Sequence, residues 1–297
     1  MIVSLGEALV DLICERRTAS LTEADCFTPH FGGALANVAV AARRTGAETA
    51  LAGAAGDDDW GRWLAEQLER EAVELEYFEL LSNEQTPIAF ASFDETGEPS
   101  FQIYGDAVAV AVQSVGPRLD TVLERATALV YGSTTLATAG EREVTLRARD
   151  LALERGLRVC FDPNIRPNRW GGDPGPAARA SRELVAGSAV VRANRDEATA
   201  ITGVDDPREA AAALVELGAE LAVVTLGAEG AVMRGACEAE LPAPEVEVVT
   251  TLGAGDAFMG TLVGGLAGLG WDLSRADEAL PAALDAAADA CSRWSAL

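Results

Sequence analysis

The chain has 297 residues, of which 49% are apolar and 24% are charged, so it can bury a large core and its composition gives no indication of disorder. Its formal net charge is -24, from 47 acidic and 23 basic residues, and every basic residue is arginine. A charge of this sign repels phosphate backbones and anionic headgroups, which excludes nucleic acid and membrane surfaces as expected partners.

The N-terminal residues and the cysteines bear on where the protein is expected to work. Residues 1–7 contain no basic region and read at once as a strand, so no signal peptide is predicted. The uncharged apolar stretch Ala257–Trp271 is too short and too rich in glycine to span a bilayer. The five cysteines form no Cys-x-x-Cys pair, which indicates neither a zinc site nor a disulfide framework. A cytoplasmic location is expected.

Short apolar runs alternate with amphipathic helical stretches through most of the chain, which is typical of βα units that build a parallel sheet. Strands are predicted at Thr49–Ala54, Ala128–Tyr131, Arg158–Phe161, Ala189–Val191 and Leu221–Thr225. Helices are predicted at Gly61–Glu71, Glu141–Arg155 and Pro207–Leu217. The pattern predicts a single α/β domain over residues 1–297, with a doubly wound and largely parallel sheet.

Two segments interrupt this alternation, Asp11–Phe31 and Pro87–Val112. Within the second, Phe90–Phe93 and Phe101–Tyr104 read as a hairpin joined by a turn at Asp94–Gly97. A hairpin inserted into an α/β domain is a candidate lid. Lids matter for phosphoryl transfer because water must be excluded as a competing acceptor.

Polar residues near the N-terminus are suited to bind a polyol. Asp11 follows an apolar run, where a carboxylate can accept two sugar hydroxyls, although a solvated aspartate at a strand end is the simpler interpretation. Further along, Gly32 and Gly33 precede a predicted helix that carries Asn37 on its first turn. Their backbone N–H groups and the Asn37 amide could bind hydroxyl groups.

Three polar segments follow strands in the second half of the chain. Phe161–Trp170 leaves a strand end, where open α/β sheets place ligand-binding loops. Asn194 and Glu197 follow the next strand, and Glu197 could hold magnesium through water, since that ion keeps most of its hydration shell. Thr225–Gly230 follows a third strand. Each segment taken alone could be an ordinary polar loop.

The most informative segment is Val249–Gly260, which reads as a strand, a glycine-rich turn and a helix. The glycines let successive N–H groups point into one cavity, and the helix N-terminus adds positive potential for an anion. Asp256 at the start of that helix could accept a proton from an attacking hydroxyl. The structural alternative is that Gly253 and Gly255 only form a tight turn and Asp256 only caps the helix.

The order of these motifs resembles that of the ribokinase/PfkB family of carbohydrate kinases. Gly-Gly-x-x-x-Asn, Asp-Pro-Asn-x-Arg, Asn-x-x-Glu, Thr-x-Gly-x-x-Gly and Gly-Ala-Gly-Asp follow one another from about Ile2 to the C-terminus. The resemblance implies a ribokinase-like three-layer α/β/α sandwich with a central, mostly parallel sheet. It also implies a small β lid, at about residues 11–28 and 86–110, that often forms a homodimer contact.

The resemblance further implies roles for individual residues. Asp256 would be the catalytic base, and the anion hole would be formed by Gly253, Ala254 and Gly255. The sugar would be held by Asp11, Gly32, Gly33 and Asn37, with Arg166 as a further substrate contact. Magnesium would be organised by Asn194 and Glu197, and the ATP site would be lined by Thr225, Gly227 and Gly230. The reaction would be in-line attack of a sugar hydroxyl on the γ-phosphoryl group.

Three positions depart from the pattern of the family. Thr250 stands where family members commonly have an aspartate that helps to bind a monovalent cation, so potassium dependence is uncertain. No asparagine follows Asn194, which leaves the adenine contact unassigned. Gly105 follows Tyr104 where such sugar kinases often carry arginine, so one substrate contact is expected to be missing.

The substrate is the most open question. Within the family, Gly6–Ile13 and Phe161–Pro167 look most like fructokinases, with 2-keto-3-deoxygluconate kinases close behind. The keto acid would need a bidentate arginine, for which Arg166 could serve. A nucleoside kinase is a weaker alternative, because its site needs an aromatic platform for the base. A non-catalytic sugar-binding protein on the same fold also remains open.

Overall fold

A computed structural model describes residues 1–95, 97, 99–104 and 107–296. Gly105, and Thr96 within the predicted turn Asp94–Gly97, lie outside the described residues. The expected loss of a lid arginine at Gly105 therefore stays a prediction from the sequence.

Helices and strands alternate as the sequence predicts. The helices are α1 Ala34–Arg44, α2 Asp59–Arg70, α3 Ala107–Gln113, α4 Leu119–Val122, α5 Ala139–Glu154, α6 Pro174–Leu184, α7 Arg195–Thr202, α8 Pro207–Glu216, α9 Ala254–Gly268 and α10 Leu280–Cys291. The strands are β1 Ile2–Leu5, β2 Leu9–Arg17, β3 Thr28–Gly32, β4 Thr49–Gly56, β5 Phe78–Leu81, β6 Ile88–Phe93, β7 Pro99–Tyr104, β8 Ala128–Gly132, β9 Arg158–Asp162, β10 Val190–Asn194, β11 Leu221–Thr225, β12 Ala231–Gly235 and β13 Ala239–Leu241.

The large sheet has nine strands in the order β13-β12-β11-β10-β9-β8-β1-β4-β5. Neighbouring strands are parallel from β5 to β11, whereas β12 and β13 pair antiparallel at one edge. These strands read as apolar runs because both faces of a parallel sheet are covered. In β8, for example, Val130 packs into the core on one face, and Leu129 and Tyr131 pack on the other. The predicted mostly parallel sheet is confirmed.

Helices cover both faces of this sheet and complete the predicted three layers. On one face, α1, α9 and α10 contribute buried side chains such as Val38, Leu262 and Leu280. On the other face, α5, α6, α7 and α8 contribute side chains such as Ala148, Leu184 and Leu214. The chain thus forms two apolar cores around one sheet, which fixes the ends of its strands relative to the helices.

The smaller sheet consists of β3, β2, β6 and β7 in that order and is called the small sheet below. The predicted hairpin is present as β6 and β7, with Phe90 opposite Gln102. Asp11 lies inside β2 and is buried, which corrects the placement of this residue after a strand. The predicted lid boundary at residue 110 falls inside α3, which packs against α5 and β4 of the larger layers.

The small sheet contacts the segment that leads into α9. Phe93 and Ile13 pack with Leu252 and Trp294 in a separate apolar cluster. Arg17 lies over the Trp294 ring, 5.4 Å from its centroid, and donates a hydrogen bond to the Val248 carbonyl. Displacement of the small sheet would therefore disturb residues next to the glycine-rich turn.

Close packing of α1 against α9 brings Asn37 to the start of α9. A Cβ atom added at Gly260 would lie 2.5 Å from the Val38 carbonyl and 2.6 Å from the Ala41 Cβ. Because backbone on both helices would have to move, we expect Gly260→Ala to destabilise the protein by about 1–3 kcal/mol. The measurement is the midpoint of urea unfolding.

Gly268 at the end of the same helix provides the matched control. A Cβ added there meets nothing within 4 Å, so Gly268→Ala should leave stability unchanged or raise it by up to about 1 kcal/mol. Equal unfolding midpoints for the two variants would contradict the role of Gly260 in close helix packing.

The structure also describes the state of the cysteines and the apolar character of the helices. All five cysteines are free thiols, as the absence of a disulfide pattern predicts. Among the described residues, no helix combines the length and the apolar character that a membrane span requires.

Candidate active site

The carboxyl ends of the parallel strands meet the N-terminus of α9 at a cavity of about 1030 Å³. Open α/β sheets bind ligands at this edge, where loops leave the strands. The predicted site residues that line the cavity are Arg166, Asn194, Glu197, Thr225, Gly227, Gly230, Gly253, Ala254, Gly255 and Asp256. The structure thus brings together residues separated by up to 90 positions in the chain.

Asp256 lies in the first turn of α9 and is 6% exposed. The turn is possible because Gly253, the residue that caps the helix, has a φ of 74°, a conformation that favours glycine. Both carboxylate oxygens of Asp256 accept amide hydrogen bonds. Asn37 donates to Oδ2 at 3.0 Å and Asn164 donates to Oδ1 at 3.2 Å. The two amides hold the carboxylate in one orientation.

The pKa of Asp256 is raised by burial, which disfavours the charged form. The hydrogen bond from Asn37 and the positive charges of Arg166 and Arg192 lower it in part. A carboxyl group with a raised pKa is better matched to proton transfer near neutral pH than an exposed aspartate. The location and environment of Asp256 therefore suit a general base.

Asn164 was not singled out from the sequence as a site residue, although it belongs to the Asp-Pro-Asn motif. It is buried and has a φ of 41°, which is uncommon outside glycine. Asparagine tolerates this conformation better than most residues, and here it aims the amide at Asp256. The only signal in the sequence was an asparagine after a proline at a strand end.

Asp11 and Asn37 carry acceptor atoms that are still available. The Oδ1 atoms of Asp11 and Asn37 are buried and have no hydrogen-bond partner within the described part of the chain. Gly32 lies so close to the Asp11 carboxylate that a Cβ atom at this position would overlap it. Buried polar atoms are nearly always satisfied in folded proteins, so these two acceptors indicate a ligand with hydroxyl donors.

Burial raises the pKa of Asp11 to about 8, and the negative charge of Asp256 adds to the shift. Arg166 acts in the opposite direction. Asp11 and Asp256 therefore lie close enough to interact, although one belongs to the small sheet and the other to α9. This coupling connects the small sheet to the proposed catalytic group.

The turn before α1 depends on Gly33 and on a second buried acid, Glu7. Gly33 has a φ of 102°, and a Cβ atom there would lie 2.5 Å from the Glu7 carbonyl. Glu7 Oε1 accepts the Ala34 N–H at 3.2 Å and thereby fixes the start of the helix that carries Asn37. Burial raises the pKa of Glu7. Sequence reasoning missed Glu7 because nothing local marks it as buried.

On the opposite side of the cavity, Asn194 and Glu197 cap α7. The Asn194 side chain accepts the Glu197 N–H at 2.9 Å, and Glu197 Oε2 accepts the Asn194 N–H at 2.9 Å. Glu197 Oε1 accepts the N–H of Ile165 at 2.8 Å. The Asn-x-x-Glu motif therefore positions two cavity segments through backbone hydrogen bonds.

The donor set allows a magnesium ion held largely by water and phosphate. Across residues 1–95, 97, 99–104 and 107–296, no group of three or more His, Cys, Asp or Glu side chains is arranged to bind a metal. Glu197 lines the cavity, but both of its oxygens already accept backbone N–H groups. An ion beside Glu197 would thus be bound through water and nucleotide oxygens, the mode that magnesium favours.

Arg192, near the end of β10, is a further cavity residue that sequence reasoning missed. Its guanidinium group donates to Thr225 Oγ1 at 2.7 Å and to both Asp162 oxygens at 3.4 Å. Burial raises the pKa of Asp162 to about 7, although the charge of Arg192 opposes the shift. In the sequence, Arg192 directly follows the predicted strand Ala189–Val191, a position that gave no sign of a site.

Comparison with known proteins identifies relatives over the full length of the chain. The profile described as pfkB family carbohydrate kinase matches residues 1–293. Fructokinase-1 of Oryza sativa is 32% identical over 273 residues, which cover 89% of this chain and 82% of that protein.

Solved structures with the same fold include two kinases with bound ligands. Aminoimidazole riboside kinase from Salmonella enterica, complexed with aminoimidazole riboside and an ATP analog, has a TM-score of 0.82 at 28% identity, covering 100% of this chain and 95% of that one. Fructokinase from Vibrio cholerae, bound to fructose, ADP and calcium, has a TM-score of 0.82 at 28% identity, with 99% and 94% coverage.

Proposed function

The chain belongs to the pfkB family of carbohydrate kinases, and we propose that the sugar it phosphorylates is fructose. As a member of this family it is a phosphotransferase that acts on a sugar hydroxyl. The observation that carries the proposal is the pair of unsatisfied buried acceptors, Asp11 Oδ1 and Asn37 Oδ1, next to Asp256. A neutral sugar offers hydroxyl donors to such atoms.

The acidic side chains in the proposed sugar-binding part of the site favour a neutral substrate over a keto acid. Glu7, Asp11 and Asp256 are buried there and influence one another's pKa values. Arg166 is the cation that acts on both Asp11 and Asp256. A substrate carboxylate would add negative charge to this set and would compete for Arg166. This argument supports fructose against 2-keto-3-deoxygluconate.

We assign the chemistry to Asp256 and the N-terminus of α9. The sugar hydroxyl oxygen forms a bond to the γ-phosphorus of ATP, the bond from that phosphorus to its leaving oxygen breaks, and Asp256 takes the hydroxyl proton. Asn37 and Asn164 keep the carboxylate oriented during this step. The N–H groups at Gly253, Ala254 and Gly255 stabilise charge on the transferred phosphoryl group.

The cavity is large enough for ATP, and the Salmonella and Vibrio kinases bind an ATP analog and ADP in the same fold. A divalent cation bound with the nucleotide would neutralise its phosphates, and Glu197 and Asn194 are the proposed residues beside it. We propose magnesium for this position.

Thr250 occupies the position where a carboxylate would help to bind a monovalent cation. Its side chain is buried, and its Oγ1 atom accepts the Leu252 N–H at 2.7 Å. A neutral hydroxyl already bonded in this way is a poor substitute for a carboxylate ligand. We therefore propose that turnover does not require potassium.

We also propose that the outer face of the small sheet forms a homodimer contact. Phe90 packs edge-to-face against Phe27 and Tyr104, with ring centroids 5.0 and 5.6 Å apart. Tyr104 is 55% exposed, so part of this aromatic cluster is open to solvent. Exposed aromatic clusters are common at protein contacts.

The experiment that tests the function is an ADP-release assay with ATP and magnesium. The panel is fructose, 2-keto-3-deoxygluconate, ribose, aminoimidazole riboside and adenosine, each with and without potassium. We expect turnover with fructose, at least about tenfold higher kcat/KM than with any other member, and little dependence on potassium.

Higher kcat/KM with another member of the panel would overturn the choice of fructose but not the membership of the family. Absence of ADP release with every sugar, in a sample that binds fructose by calorimetry, would instead support the non-catalytic alternative.

A further inference from the structure

We propose that Arg192 is a catalytic residue that contacts the transferred phosphoryl group beside the anion hole. The inference rests on the proposed anion hole at Gly253–Gly255, and it adds a side-chain cation to that site. It also explains how a chain without lysine can place a fixed positive charge at the point of transfer.

The guanidinium group of Arg192 lies against the glycine-rich turn. A Cβ atom added at Gly255 would lie 2.5 Å from Nη1 and 2.8 Å from Nη2 of Arg192. The guanidinium group therefore packs directly against the backbone of the anion hole, in space that a side chain at position 255 would occupy. Arg192 also lines the cavity, so its exposed edge faces the space that receives the nucleotide.

The described contacts of Arg192 do not use all of its hydrogen-bond donors. Arginine has five N–H donors. In the described contacts Nη1 donates to Asp162 and Nη2 donates to Thr225, and each of these nitrogens carries two N–H groups. Its side chain is 10% exposed. A buried cation with spare donors facing a cavity is suited to an anionic ligand.

The ion pair of Arg192 and Asp162 has longer donor–acceptor distances than the buried ion pair of Arg169 and Glu141. Arg169 contacts both oxygens of Glu141 at 2.8 and 2.9 Å, and Glu141 is fully buried. Arg192 is 3.4 Å from both oxygens of Asp162. The longer separation means that Arg192 is held less tightly by its acidic partner than Arg169 is, which leaves its guanidinium group more available to a second anion.

The neighbours of Arg192 place it on the nucleotide side of the cavity. Thr225, which was predicted to line the nucleotide site, accepts a hydrogen bond from Nη2. The other arginine that lines the cavity, Arg166, acts on Asp11 and so lies towards the sugar. Arg192 is thus the cavity arginine beside the nucleotide motif. Charge on the transferred oxygens is largest in the transition state, where a fixed cation contributes most.

The test compares turnover with the binding of a transition-state analogue. We expect Arg192→Met to lower kcat by about 100-fold or more and to change KM for ATP by less than about threefold. Calorimetry with magnesium, ADP and aluminium fluoride should show that the variant loses the tightening that fluoride produces in the unmodified protein, while ADP alone binds as before. Arg192→Lys should retain part of the activity.

A double variant separates catalysis from charge compensation. If Arg192 only neutralised Asp162, then Asp162→Asn combined with Arg192→Met would restore both thermal stability and kcat. We expect stability to recover and kcat to stay low. Recovered kcat, or equal losses in ADP and ADP–fluoride binding, would overturn the proposal. The fructose assignment is tested separately, because these measurements can use any sugar that the protein phosphorylates.

Discussion

Replacing Asp256 with asparagine should lower kcat by about 10²–10⁴-fold, the range that general base catalysis contributes in enzymes. The substitution keeps the size of the side chain and its place in α9 but removes the group that takes the hydroxyl proton. Sugar affinity should be retained, because Asp11 and the remaining turn atoms are unchanged. Steady-state ADP release measures the first effect and calorimetry with fructose measures the second.

Asp285→Asn provides the control for this experiment. Asp285 is an exposed residue on α10, and its replacement makes the same chemical change away from the cavity. We expect its kcat to equal that of the unmodified protein within about twofold. If the Asp256 variant also retained its kcat, the assignment of the base would be wrong.

Replacing Asp11 with asparagine should weaken sugar binding and, at alkaline pH, stabilise the protein. The carboxylate acceptor at the sugar end would be lost, so KM for the sugar should rise by about tenfold or more. At alkaline pH the variant should be more stable than the unmodified protein, because folding buries the Asp11 carboxyl group and burial disfavours its charged form. Asp11 would thus bind the sugar while lowering the stability of the folded protein at alkaline pH.

The sign of the pH effect follows from the two pKa values. Asp11 has a pKa near 3.8 when unfolded and about 8 when folded, so the folded protein binds the extra proton between these values. The stability that this proton contributes is fully present below the lower value and is lost as pH rises through the higher one. The melting temperature of the unmodified protein should therefore fall between about pH 4 and about pH 8 and level off by about pH 9.

Thermal melts of the two proteins across that range provide the measurement. The Asp11→Asn variant lacks this titration, so its melting temperature should fall less and should exceed that of the unmodified protein near pH 9. Parallel melting curves for the two proteins would show that Asp11 does not titrate with the raised pKa. A sugar that protects only the unmodified protein would confirm the binding role.

The sequence was most informative where the signal was local. Parallel strands buried on both faces read as continuous apolar runs, so the large sheet was predictable without tertiary information. The turn at Gly253–Asp256 was recognisable because its glycines and its aspartate are adjacent. Features that depend on distant contacts were missed. Asp11 was placed beyond a strand because nothing in its neighbourhood reveals the small sheet, where it pairs with His30 and Ala89.

The three site residues that sequence reasoning did not single out illustrate the same limit. Asn164 matters because its backbone adopts a positive φ that points the amide at α9. Glu7 matters because its carboxylate accepts a hydrogen bond from the N–H of Ala34, the first residue of α1, which lies 27 residues further along the chain. Arg192 matters because a glycine from another element leaves space for its guanidinium group. Each role comes from the approach of two elements, which residue types and spacing alone do not encode.

Trp294, which packs against Arg17, can serve as an intrinsic fluorescent probe of the junction between the small sheet and the segment before α9. Indole emission depends on the polarity around the ring and on nearby charged groups, and this indole lies between the small sheet and the segment before α9. With the other four tryptophans replaced by phenylalanine, fluorescence would come from this junction alone. Rapid mixing with a sugar would then show, without an attached dye, whether the small sheet shifts relative to the segment before α9.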